Sequence, residues 1–152
     1  MSVAACGFQL RGQARLPAAL SDTHLQIDDD STVFARELRL LLVANGVRLA
    51  ERSGEDTATL RIHSQRMWRQ ALSVSGQARV REFLLVLEVD FELADADGKR
   101  LLERETLRLT RDYSFDEQEI LAADREEEFL SRDLGREMAA RLMRRLESLS
   151  RS

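Results

Sequence analysis

The chain has 152 residues, 33% of them charged, with a formal net charge of −4 and the two signs interleaved rather than blocked. That length suits one domain able to remove roughly 68% of its unfolded surface from water, and the slight acidity argues against nucleic acid as the main partner. No apolar run approaches the roughly 18 residues that a membrane-spanning helix needs, so any membrane association must come through a covalent anchor or a partner.

The N-terminal stretch Val3-Ala4-Ala5-Cys6-Gly7 holds the single cysteine. A branched apolar residue and two small ones before a cysteine resemble a bacterial lipobox, in which small side chains flank the cleaved bond and the thiol receives lipid. A lone thiol forms no internal disulfide; the other readings of Cys6 are a buried or an incidental free thiol. Only Met1 and Ser2 precede the motif, so the basic and apolar segments of a secretory signal are expected upstream of it. Residues 1–22, with the only proline at Pro17, read as a lipobox remnant and a tether. Residues 23–152 read as a single domain.

A short strand is predicted near His24-Leu25-Gln26-Ile27. Asp28-Asp29-Asp30-Ser31 then supplies N-cap candidates, and Phe34, Leu38, Leu41 and Leu42 recur at helical spacing before Asn45-Gly46 closes the segment. This predicts an amphipathic helix over 31–45. Val47-Arg48-Leu49-Ala50 follows as a short strand.

From 82 to 93 the odd positions are all apolar, while the even positions carry Glu82, Glu88, Asp90 and Glu92. One face belongs to a core and the other to solvent. A two-residue turn at Ser75-Gly76 would pair Val74 with Gln77 and place Leu60 opposite Phe91, Ile62 opposite Val89, His63 opposite Glu88 and Trp68 opposite Phe83. It would also set Arg61 against Asp90 and Arg69 against Glu82 on the outer face. The next hairpin is predicted as a three-residue loop with Gly98 left-handed, matching Leu87 with Leu107, Leu85 with Leu109 and Asp90 with Arg104. The result is a three-stranded antiparallel meander over roughly 57–114.

After Ser114-Phe115-Asp116, with Glu119 placed for a capping box, the chain is predicted helical to its end, with a bend near the acidic run Asp124-Arg125-Glu126-Glu127-Glu128. Leu130, Leu134, Met138, Leu142 and Leu146 mark one stripe, flanked by Arg132, Arg136, Arg141, Arg144 and Arg145. Two helices on one face of a mostly antiparallel sheet of about four to five strands give a two-layer α+β sandwich.

No catalytic constellation stands out. His24 and His63 lie on different strands without a second metal-ligand type at diagnostic spacing, no glycine-rich phosphate loop exists, and no serine has a nucleophile-elbow setting. The paired carboxylates alternate along a solvated strand face. No metal, no cofactor and no enzymatic activity are therefore expected. Two surfaces mix apolar and basic groups: the hairpin tip, with Trp68, Leu72, Val74, Arg79, Val80 and Arg81, and the last helix from Arg132 onward. That mixture suits an anionic amphiphile, whose acyl chains need apolar contact and whose phosphates match arginine forks. An ordinary solvated hairpin end and helix would carry the same residues.

Cys6-Gly7-Phe8-Gln9-Leu10-Arg11-Gly12, Leu38 through Asn45-Gly46-Val47, Ser75-Gly76-Gln77 with Arg81-Glu82-Phe83, and Arg132-Asp133-Leu134 through Arg141-Leu142-Met143-Arg144-Arg145-Leu146 together resemble the LPS-assembly lipoprotein family LptE of Gram-negative bacteria, over nearly the whole chain. The resemblance implies a non-enzymatic lipoprotein on the periplasmic face of the outer membrane, anchored through an acylated Cys6. It also implies a domain that plugs the LptD β-barrel, assists its assembly and helps deliver lipopolysaccharide to the outer leaflet. Lipopolysaccharide contact is implied at two basic positions. One maps to Arg132, with Arg136 beside it. The other falls at the uncharged Val74, where Arg79 or Arg81 would substitute. Val74, Ser75 and Gly76 are the implied barrel contacts at the tip. A free-standing periplasmic lipoprotein binding a small apolar ligand between helices and sheet is the alternative.

Overall fold

The computed structural model describes residues 16–77 and 79–151. The elements are β1 (Asp22–Ile27), α1 (Val33–Ala44), β2 (Arg48–Ala50), β3 (Ala58–Val74), β4 (Val80–Ala94), β5 (Arg100–Ser114) and α2 (Ile120–Ser148), with 3-10 turns at Ala18–Leu20, Glu117–Glu119 and Leu149–Arg151. Five strands form one sheet in the order β2-β1-β3-β4-β5. β1 runs parallel to both β2 and β3, whereas β4 is antiparallel to both β3 and β5. The sheet is thus mixed, because α1 is the crossover that brings β2 back alongside β1 in the same direction.

α1 starts at Thr32, not within the preceding acidic run: Thr32 Oγ1 accepts from Ala35 N at 3.1 Å. Asp29 is used locally instead, its Oδ1 accepting from Ser31 N and Oγ at 3.0 and 2.6 Å. At the other end Asn45 Nδ2 donates to Leu41 O at 2.7 Å, and Gly46 takes φ +85 to turn the chain into β2. Phe34, Leu38 and Leu42 face the sheet, as their spacing predicts, and are essentially inaccessible.

The meander forms, but β3 meets β4 in a different register. Gly76 is not left-handed, so the tight two-residue turn does not form. Val74 pairs with Val80, and Ser75 N donates to Arg79 O at 2.7 Å across a longer loop. Leu60 consequently faces Leu93, Ile62 faces Phe91 and Arg61 faces Glu92. A β-bulge between Ile62 and Ser64 then inserts His63 as an extra residue. Beyond it the inward positions change parity: Arg69 now pairs with Leu85 and Trp68 with Val86. Trp68 therefore lies on the outer face and Arg69 beneath α2, the reverse of the simple alternation. His63 has no strand partner at Glu88; its Nε2 lies 3.3 Å from Glu92.

At the β4–β5 hairpin the three-residue turn holds, with Gly98 at φ +81 and Asp95 Oδ1 accepting from Asp97 N and Lys99 N at 3.0 and 2.9 Å. Irregularities next to Leu93 shift the remaining pairs by two, so Leu87 faces Leu109 and Leu85 faces Arg111. Arg104 still reaches Asp90, at 2.8 Å.

α2 is one helix of 29 residues, without the expected break at its acidic run. At 1.5 Å per residue it is about 43 Å long. No capping box forms: Asp116 Oδ1 caps the preceding 3-10 turn through Gln118 N at 2.9 Å, and Glu119 makes no side-chain cap. Leu134, Met138, Leu142 and Leu146 are fully buried, with Leu130 packed at the margin. Each such leucine contributes about 1.5–3 kcal/mol on burial. Leu20 joins the same core ahead of β1, and Leu16 packs against it.

Candidate functional site

The outer face of the sheet is organised by charge. Glu88, Asp90 and Glu92 project from β4, the middle strand of the meander, and are met by arginines from both neighbours: Arg66 on β3 pairs with Glu88, Arg104 on β5 with Asp90, and Arg61 and Arg100 with Glu92 at 3.7 and 3.4 Å. A hydrogen bond from Thr106 (2.6 Å) and the Arg104 guanidinium hold the Asp90 carboxyl below its usual range. Both signs are thereby held at fixed positions on one broad, polar surface.

The predicted tip residues lie together at the β3–β4 turn. Val74 is 58% exposed, and Leu72 beside it 49%. Ser75 is used structurally, its Oγ accepting from Arg79 N at 3.3 Å. Arg79 pairs with Glu117 at 3.3 Å, and Phe115 N donates to Arg81 O at 2.8 Å, so the start of the α2 approach is stitched to the tip. The Arg81 side chain is exposed, with no ion pair among the described residues.

Arg132 occupies a different place. It lines a cleft of about 230 Å³ where the first turn of α1 meets α2 and β3, walled by Val33, Phe34, Met67, Leu87 and Gly135 and rimmed by Glu128, with which Arg132 pairs. Gly135 makes this junction possible: a Cβ there would sit 3.1 Å from Phe34 N and from Val33 Cβ and Cγ1. Arg136 lies one turn further along α2, exposed and without an ion pair among the described residues. Arg132 lies twelve positions after Ile120 along α2, about 18 Å of rise. The tip arginines and the helix arginines thus form two sites, not one.

Between them α2 is fastened to the sheet by polar contacts. Arg69 reaches Glu127 at 3.1 Å and lies over the Phe83 ring, and Tyr113 Oη donates to the same carboxylate at 2.6 Å. Burial, reinforced by that hydrogen bond, pushes the Tyr113 hydroxyl up to about 12 despite the nearby Arg69. Further along, Arg111 pairs with Asp133 and Glu137, and Arg145 with Glu105.

Among the described residues no cluster of histidine, cysteine, aspartate or glutamate could hold a metal ion, and no helix is long and apolar enough to cross a membrane. Cys6 lies outside the described residues. A family model described as "LptE: Lipopolysaccharide-assembly" matches residues 20–146, the whole sheet and nearly all of both helices. The chain belongs to the LptE family.

Its LptE relatives include the LPS-assembly lipoprotein LptE of Photorhabdus laumondii, 29% identical over 143 residues covering 94% of this chain and 78% of the relative. That of Pectobacterium atrosepticum is 24% identical over 150 residues, covering 98% and 80%. Among solved structures, a lipoprotein B from Nitrosomonas europaea superimposes with a TM-score of 0.80 at 26% identity, covering 96% of this chain and 94% of that one. The rare lipoprotein B of Shewanella oneidensis gives 0.74 at 25%, covering 85% and 96%. The α+β architecture is that of LptE-type lipoproteins.

Two features of this LptE-family domain escape a strand-by-strand reading. Gly135 carries no turn signal, because its role is a helix–helix approach that only the packed structure defines. The outward Trp68 does leave a trace: Leu84 and Val86 are apolar at even positions of an otherwise acidic outer register. Of the two, Val86 is fully buried and faces Trp68 across the strands.

Proposed function

We propose that this chain is an outer-membrane lipoprotein, anchored on the periplasmic face through an acylated Cys6, that plugs the LptD β-barrel, assists its assembly and helps deliver lipopolysaccharide to the outer leaflet. Membership of the LptE family across residues 20–146 carries this reading. The charge-paired outer face supports it, because barrel lumens are polar and a plug must present fixed polar groups to them. In this reading Val74, Ser75 and Gly76 meet the barrel wall. Arg132 and Arg136 hold lipopolysaccharide phosphate, and Arg79 and Arg81 take the basic role at the tip. The domain works by binding, not by catalysis.

The cleft beside Arg132 favours a second reading, a free-standing lipoprotein that takes a small apolar ligand. At about 230 Å³ it falls below the roughly 300–1,000 Å³ of typical ligand pockets, and the space between helices and sheet is filled by residues such as Phe34, Phe91, Leu134 and Met138 at 2% exposure or less. The test is affinity purification from the native host of the protein expressed with an upstream secretory signal. A large outer-membrane β-barrel recovered at near-equal stoichiometry supports the plug. Recovery of the protein alone, in detergent that preserves other barrel complexes, moves the assignment to the free-standing binder.

A further inference from the structure

Among the described residues, the paired charges of the outer face give way to an apolar patch at Val86. Val86, on β4 and directed away from the helices, is nonetheless fully buried, and its cross-strand partners are Trp68 on β3 and Thr110 on β5. Trp68 is the only tryptophan in the chain. Its ring centroid lies 5.7 Å from the Arg66 guanidinium on its own strand and 5.5 Å from that of Arg108, two strands away. The indole therefore spans the sheet above β4 and is the cover over Val86, while remaining itself half-exposed.

The hydrogen-bonding capacity around that indole is unevenly used. Arg66 is engaged by Glu88. Arg108 also sits opposite Glu88 in the β4–β5 register, yet it has no carboxylate partner among the described residues, and neither does the indole N–H have an acceptor. A rigid aromatic surface with two unfilled donors is the composition of an interface anchor, where tryptophan and arginine dominate binding energy. The donors call for a carboxylate. Around the indole the carboxylates of Glu88, Asp90 and Glu92 alternate with the arginines that pair with them, a mixed-charge pattern that fits a protein surface of complementary mixed charge.

We infer that Trp68 and Arg108 form the anchor by which the outer sheet face docks on a carboxylate-bearing wall of the barrel partner, an inference that rests on the plug reading above. The test uses the full chain with its secretory signal in the native host, comparing barrel recovery for wild type, Trp68→Ala and Arg108→Glu. Both variants are expected to lower recovery roughly tenfold or more. Arg108→Glu removes no core contact, and Arg108→Gln, which loses the cation without setting a new carboxylate opposite Glu88, keeps the test valid where either other variant impairs folding. Wild-type recovery of the barrel by Arg108→Glu overturns the anchor and leaves the plug reading standing, whereas failure of the wild type itself to recover a barrel removes the plug reading first. Loss of lipopolysaccharide binding by Arg108→Glu with barrel recovery intact overturns the protein-wall assignment in favour of lipid.

Discussion

Replacing Gly135 by alanine tests whether the junction of the two helices is as tight as its geometry. In an open helical position this change stabilises by about 0.5–1 kcal/mol, because glycine loses more backbone freedom on folding. Here the added methyl would meet a backbone nitrogen and two carbons of α1 at 3.1 Å, whereas carbon contacts are optimal at about 3.5–4.0 Å. Relief requires the first turn of α1 to move by several tenths of an ångström. That turn is held from three sides: Thr32 caps it, Thr32 Oγ1 bonds Gln65 Oε1 at 2.8 Å, and Phe34 is buried. Overpacking of this kind costs about 1–3 kcal/mol. The propensity gain offsets part of that, leaving a net loss of about 0.5–2 kcal/mol, to be read from urea unfolding as a lowered midpoint at unchanged slope. A higher midpoint for Gly135→Ala would refute the claim that α1 cannot yield.

Arg132→Glu is expected to weaken lipopolysaccharide binding while leaving the thermal midpoint of the isolated domain within a few degrees, since the Arg132–Glu128 pair is exposed and such pairs contribute about 0–1 kcal/mol; unchanged binding would remove Arg132 from the site. Val74→Asp places a charge on an exposed tip residue and is expected to reduce barrel recovery without loss of folding, and recovery equal to wild type would detach the tip from the interface. The Tyr113 hydroxyl titrates near 10.0 when unfolded and about 12 when folded, so between those values the folded state holds more protons. The stability this hydroxyl contributes is therefore fully present below pH 10 and is lost as pH rises toward 12. Tyr113→Phe should flatten that alkaline decline in a series of denaturant midpoints, and an unchanged slope would show that Tyr113 does not set it.

The helices and strands were legible because each has one buried face. The alternation from Phe83 to Leu93 has a single solution as a strand, and the stripe from Leu130 to Leu146 a single one as a helix. What escaped the sequence were features defined by a partner rather than by local pattern. Nothing in Ile62-His63-Ser64 marks a bulge; it exists only because β4 supplies one residue where β3 supplies two. The cap of α1 fell to Thr32 over its acidic neighbours because Gln65, from a distant strand, bonds the same hydroxyl. The candidate site divides likewise. Arg132 stands out by charge, but the cleft beside it draws its walls from α1, β3, β4 and α2, and no spacing along the chain foretells that meeting.

The extra residue at His63 makes β3 a strand with two reading frames. Residues 58–62 follow one phase and residues 64–70 the other, and the count between them is what matters. Substituting His63 leaves the count intact. Deleting one residue between Ile62 and Trp68 would remove the extra residue and leave a regular strand, with Trp68 still facing outward and Met67 and Arg69 still facing α2. Chain length in this stretch can therefore shrink by the one extra residue without turning either face over, and the bulge is a spare residue that the pairing on both sides tolerates.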